Sequence, residues 1–184
     1  LSTPPLHAAL ACPMRYRAGS RGGSVSRYMT REGFEAIQAE IEHLWRVERP
    51  EIVDQVFEAA SLGDRSENAA YIYGKQKLRQ IDGRLRYLRR KIDQVTVVDL
   101  EEQPQFDVVK FGAVVTVLND DDEESTWRLV DKEESDPKLK RISVQSPIGQ
   151  ALLGKQEGDY VQIKLPKGTV GYEVTGIRYG AGEP

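Results

Sequence analysis

The stretch LRQIDGRLRYLRRKIDQV, residues 78–95, decides the architecture. Its apolar positions Leu78, Ile81, Leu85, Leu88, Ile92 and Val95 recur at spacings of 3, 4, 3, 4 and 3, the seam of a helix that packs along another helix. Gly74 and Gly83 fall within the same segment and each disfavours a helix by about 1 kcal/mol against alanine, so the seam must outweigh them. A matching stripe lies upstream, in Phe34, Ile37, Ile41 and Leu44, resuming as Ile52, Val56 and Ala59. Thr30 suits the N-cap of that first helix, and Glu32 stands where the positive end of the helix dipole favours an acid. Pro50 removes a backbone donor, so the helix is expected to run about 28 residues with a kink or offset near 46–50.

Only the polar segment SLGDRSEN, residues 61–68, separates the two patterns, so the helices must fold back antiparallel. At about 1.5 Å per residue each arm is about 40 Å long. Charge supports the pairing: residues 31–60 carry eight acids and three bases, residues 67–95 eight bases and three acids. Most of these charges read as solvated helix faces. The cluster Arg84, Arg86, Arg89, Arg90 and Lys91 is dense enough to contact phosphates, and equally able to meet an acidic protein.

Beyond residue 98 the period changes to two. VVKFGAVVTVLND, STWRLVD, KRISVQS, DYVQIKL and VGYEVTGIRY read as strands, and PIGQALLGK, from Pro147, as a short helix opened by proline. With Pro104 marking a boundary, the chain divides into a flexible basic tail (1–28), a helical hairpin (29–99) with an acidic tip at 61–68, and an α+β globule (105–184). The acid run Asp120–Glu124 lacks the alternation and glycine of a calcium loop and reads as a solvated hairpin turn.

Composition sets outer bounds. Of 184 residues, 30% are charged and 39% hydrophobic, which is ordinary for a folded soluble chain. The single cysteine, Cys12, forbids an intrachain disulfide and points to a reducing cytoplasm. No apolar run approaches the roughly 18 residues of a membrane span. His43 has no second histidine or cysteine at ligand spacing, and Trp45 and Phe34 read as packing residues on the first arm.

The tip concentrates the chemistry. Asp64 and Glu67 stand in the relation D-x-x-E, which can form a capping box at the start of the second helix. Gly63, Arg65, Ser66 and Asn68 surround them, with Ser66 and Asn68 also able to satisfy free backbone N–H groups. The same two carboxylates, held at the end of a thin rod, can instead complete the coordination of a Mg²⁺ ion, which accepts one or two protein carboxylates beside phosphate and water. Both readings stand on spacing alone.

At these residues the sequence resembles the bacterial Gre transcript cleavage factors. AASLGDRSENAAY (59–71) matches that family's tip, HLWRVERPEI (43–52) and RQIDGRLRYLRRKI (79–92) its arms, and SPIGQALLGKQEGD (146–159) a motif of its FKBP-like C-terminal domain. LWRVERP and Arg65 look more like GreB than GreA. The resemblance covers roughly residues 28–180 and implies an antiparallel coiled-coil hairpin followed by a small FKBP-like α+β domain. It further implies a monomer whose hairpin enters the secondary channel of RNA polymerase. There Asp64 and Glu67 would help hold a Mg²⁺ ion shared with the polymerase, which then cuts backtracked RNA at its own active site. Arg84, Arg86, Arg89, Arg90 and Lys91 would face the extruded RNA 3′ end. Ala70 departs from the pattern, since relatives commonly carry a further acid there. That departure keeps open a channel-binding regulator that modulates the polymerase without cleavage. A prolyl isomerase, suggested by the fold alone, would need an aromatic-lined pocket among Phe106, Phe111, Trp127, Tyr160, Tyr172 and Tyr179.

Overall fold

Thr30 begins the helical arm as expected: its hydroxyl accepts from the Gly33 N–H at 3.0 Å and opens α1, Arg31–His43. The structure is a computed structural model and describes residues 28–61, 67–165, 168–180, 182 and 184. Residues 1–27, read as a tail, lie outside the described residues. After α1 the backbone widens into a π-helical turn, Leu44–Glu48, where the Arg49 N–H reaches the Leu44 carbonyl five residues back. Pro50 follows at once; it has no N–H to return and its ring crowds the carbonyl four residues earlier. The expected kink is therefore a single π turn, after which α2, Arg49–Ser61, continues the arm.

The second arm is α3, Ala69–Gln94. Its N-cap is Asn68, whose side-chain oxygen accepts from the Tyr71 N–H at 3.1 Å while its amide donates to the Ala59 carbonyl at 2.8 Å. One residue thus caps the incoming helix and ties it to the end of the outgoing one. This corrects the capping-box reading of the tip: the chain enters the helix only at Ala69, and Glu67 lies ahead of the cap. Cross-arm contacts pair Asn68 with Ala59, Gly74 with Val56, Asp82 with Arg49 and Arg84 with Glu40, so the arms run antiparallel. At Gly74 a Cβ would overlap the Val56 side chain, so the glycine permits close approach. Ile37, Leu44, Ile81, Leu85 and Leu88 are buried along the seam.

The sequence reading missed a small sheet at the root of the arms. β1, Tyr28–Thr30, pairs in parallel with β2, Thr96–Val98, in the register Tyr28↔Thr96 to Thr30↔Val98. Tyr28 therefore belongs to the folded root and not to the tail. Met29, fully buried, joins the seam cluster from this strand.

Five further strands form one sheet in the order β5-β4-β3-β7-β6. They are β3, Val114–Asn119; β4, Glu124–Val130; β5, Arg141–Ser143; β6, Tyr160–Leu165; and β7, Gly168–Arg178. All neighbours are antiparallel except β4 and β5. Helix α4, Pro147–Leu152, is capped by Ser146, and Leu152 packs into a core with Val115, Val117, Leu129, Ile163 and Val174. Phe106 meets Tyr179 and Trp127 meets Tyr172 edge to face at 5.2 and 5.7 Å, and all four rings pack against this core. The acid run makes the β3–β4 turn, organised by Asn119, whose side chain accepts from the Asp121 and Glu123 N–H groups. Asp120 has more than a solvating role: it accepts from the Tyr160 hydroxyl and the Gly171 N–H, both at 2.8 Å, and pins the turn to β6 and β7.

Candidate functional site at the two ends of the helical pair

The far end carries the predicted tip. Gly63, Asp64, Arg65 and Ser66 lie outside the described residues. Glu67 is exposed in the turn ahead of the cap, and Asn68 holds the helix start. Over 26 residues α3 is about 39 Å long, so Glu67 sits that far from the root. Phe57, Ile72 and Tyr73 are exposed on the same end of the arms. Among the described residues no group of three or more His, Cys, Asp or Glu side chains comes together as a metal cage. A carboxylate is nevertheless the right donor for Mg²⁺, and an exposed one remains open to an ion held mainly elsewhere.

The predicted basic cluster divides. Arg86, Arg89 and Arg90 are exposed. Lys91 is not: it is 3% exposed and pairs with the fully buried Asp131 at 2.5 Å. Its position on the seam-facing side of α3 removes it from any phosphate-contacting face, which corrects its assignment. Arg84 is engaged by Glu40 at 2.7 and 3.0 Å and by Glu133 at 2.9 Å. Its hydrogen bonds to Glu40 and Glu133 hold its pKa above the usual arginine range against the opposing effect of burial. Sequence reasoning also stopped short of the tip. Lys75 and Arg79 are exposed, and Lys75, Arg79, Arg86 and Arg90 share one side of α3. Counting the bases at helical period, as was done for the apolar residues, would have found them. Trp45 is not a core residue: it is 49% exposed, with the Arg49 and Arg89 guanidinium groups 5.4 and 5.1 Å from its ring.

The near end joins the globule to the arms through Asp131–Glu134. Asp131 and Glu134 form a capping box around a 3-10 turn, Lys132–Glu134. Asp131 takes Lys91; Glu133 takes Arg84 and the Tyr87 hydroxyl at 2.9 Å; Glu134 accepts from the backbone N–H and the hydroxyl of Thr30. Arg141 adds a bond to Glu32 at 3.0 Å. Burial, only partly offset by Thr30, pushes the Glu134 carboxyl above the ordinary carboxylate range. Burial acts on Glu133 in the same direction, but the bonds from Tyr87 and Arg84 prevail and hold it below that range. Burial and the bond to Glu133 push the Tyr87 hydroxyl up to about 12.

Two antiparallel arms with an exposed acid at one end and a mixed five-stranded globule clasped to the other define an α+β protein that projects a rod. Residues 27–97 match the family described as "Transcription elongation factor, N-terminal", and residues 103–179 match "Transcription elongation factor, GreA/GreB, C-term". The chain belongs to the GreA/GreB transcription elongation factor family. It is 46% identical over 154 residues to the transcription elongation factor GreB of Yersinia pestis, covering 84% of this chain and 90% of that protein. To GreB of Pseudomonas putida it is 47% identical, covering 84% and 94%. To GreA of Pelobacter propionicus it is 41% identical over 152 residues, covering 82% and 96%. The resemblance is closer to GreB. Among solved structures, Gfh1 of Thermus thermophilus is 26% identical with a TM-score of 0.38, covering 83% of this chain and 99% of that one. A GreA/GreB factor of Nitrosomonas europaea is 22% identical with a TM-score of 0.37, covering 84% and 100%. Among the described residues no helix is long and apolar enough to cross a membrane.

Proposed function

We propose that this elongation factor acts as a monomer in the cytoplasm, enters the secondary channel of RNA polymerase with its helical pair as a coiled-coil hairpin, and stimulates the polymerase's own cleavage of backtracked RNA. The globule, FKBP-like in this reading, holds the channel rim. Asp64 and Glu67 would supply carboxylate oxygens to a Mg²⁺ ion held jointly with the polymerase. When bound, the ion stabilises the attacking and leaving oxygens of phosphodiester hydrolysis. The factor is then a donor of ligands and not a complete enzyme. Gly63, Arg65 and Ser66 would shape the turn, and Asn68 fixes where it ends. Arg86, Arg89 and Arg90, extended toward the tip by Lys75 and Arg79, would carry the contact with the RNA 3′ end.

The observation that carries this reading is family membership over both halves of the chain together with an exposed Glu67 just ahead of α3, a helix about 39 Å long that is held to the globule near its other end. The experiment is transcript cleavage on a backtracked elongation complex with Mg²⁺, comparing the intact chain with Asp64→Asn and Glu67→Gln. All three are expected to compete equally for polymerase, and cleavage is expected to fall by at least about 100-fold in each variant, the scale of losing one positioned charge-stabilising group. Binding without cleavage by the intact chain would establish the modulating regulator instead.

A further inference from the structure

We infer that the turn Asp131–Glu134 is a positioning clasp that sets the aim of the helical pair, with Lys91 and Asp131 as its buried pivot. Three of its four residues bind the root of the arms, two on α3 and one where β1 meets α1. Asp131 holds Lys91 on α3 at 2.5 Å, with side chains only 0% and 2% exposed. Glu133 reaches Tyr87 and Arg84, one and two turns nearer the tip along α3. Glu134 closes on Thr30, the residue that joins β1 to α1. Three anchors that are not collinear fix a direction, whereas one ion pair would leave a swivel.

The geometry of a lever makes direction matter. From Lys91 to Ala69, α3 extends about 33 Å, so a tilt of about 5° at the root moves the far end by about 3 Å. Misplacement of a reacting group by about 1 Å is enough to lower a rate about 100-fold. Lys91, Asp131, Glu133 and Glu134 touch no reacting atom; they are positioning residues. Their consequence for cleavage rests on the function proposed above, but the aim of the arms does not.

Gly33 supplies a variant that leaves the arm intact. A Cβ at Gly33 would overlap the Glu134 carboxylate, although alanine favours the helix more than glycine does. Gly33→Ala therefore strengthens α1 while displacing the clasp. Spin labels at Asp54→Cys and Gln156→Cys, both exposed and in a Cys12→Ser background, report the distance from arm to globule in the full chain. One narrow distance is expected for the parent, and a broadened or shifted distribution for Gly33→Ala and Glu133→Gln at unchanged helix content. In the cleavage assay the same variants should lose at least about 10-fold in maximal rate while half-saturating concentration changes less than about 3-fold. Distributions identical to the parent in both variants would overturn the clasp. If the parent itself fails to cleave, the proposed function falls and the distances still judge the clasp.

Discussion

The D-x-x-E spacing stands at both ends of the arms, as Asp64–Glu67 at the far end and as Asp131–Glu134 at their root. The spacing promises a capping box in both places. Among the described residues one is built at the root, where Asp131 and Glu134 cap each other's turn and also reach across to the arms. At the far end Asn68 takes the cap and Glu67 stays exposed. The difference teaches that a motif states which bonds are possible and its surroundings decide which are made. Where a lysine and a threonine wait in a dry interface, the acids become structure. Where a better cap lies one residue further on, the acid is left facing water.

The largest test of this contrast is Lys91→Met. It keeps the side chain's length and leaves Asp131 buried without its partner, so unfolding free energy should fall by about 3–5 kcal/mol. For a chain of this size that lowers the melting temperature by roughly 6–20 °C. The corresponding change at the far end, Glu67→Gln, should stay within about 0.5 kcal/mol, because an exposed acid has little to lose. Calorimetry on both variants gives the ratio. Equal losses would mean that the tip acid is structural after all. A smaller effect is expected from Asn68→Ala, which removes a helix cap and the tie to Ala59. Urea unfolding should show a loss of about 1 kcal/mol with no change in slope.

How much of this was legible follows from the range of each signal. The seam on α3 and the stripe on the first arm were readable because helical burial repeats every few residues and needs no knowledge of the partner. The globule's strands and α4 were readable from period-two runs and from Pro147 after Ser146. The parallel pair β1–β2 was not, since three-residue strands 68 positions apart carry no local period. Lys91 was misread for the same reason. Beside Arg89 and Arg90 it looks like one more exposed base, and only Asp131, 40 positions later, turns it inward. Trp45 escaped because a large aromatic reads as a packing residue, whereas its ring lies at the surface beside the Arg49 and Arg89 guanidinium groups. At the site, Glu67 and Asn68 were legible as residues but their roles were not, because Asp64 and Asn68 compete for one cap.

The finest distinction lies within the clasp itself and concerns pH. Glu133 is held below the ordinary carboxyl value of 4.5, so its ionised form stabilises the fold; that contribution is present above pH 4.5 and is lost as pH falls. Glu134 is pushed above the same value by burial, so the folded state holds its proton more tightly than the unfolded one. Its contribution is present below pH 4.5 and is lost as pH rises. The two neighbours therefore oppose each other on the acid side. In unfolding curves measured from pH 3 to pH 7, roughly the span of carboxylate titration, Glu133→Gln should flatten the acid-side loss of stability and Glu134→Gln should steepen it. On the alkaline side Tyr87 acts through its bond to Glu133. With its pKa raised from 10.0 to about 12, its bond to Glu133 is complete below pH 10.0 and disappears as the hydroxyl ionises. Tyr87→Phe should abolish that alkaline slope while leaving the acid-side one in place. If all three variants titrate like the parent, the bonds of Glu133 and Glu134 carry no free energy, and the root would differ from the tip by its buried Lys91–Asp131 pair alone.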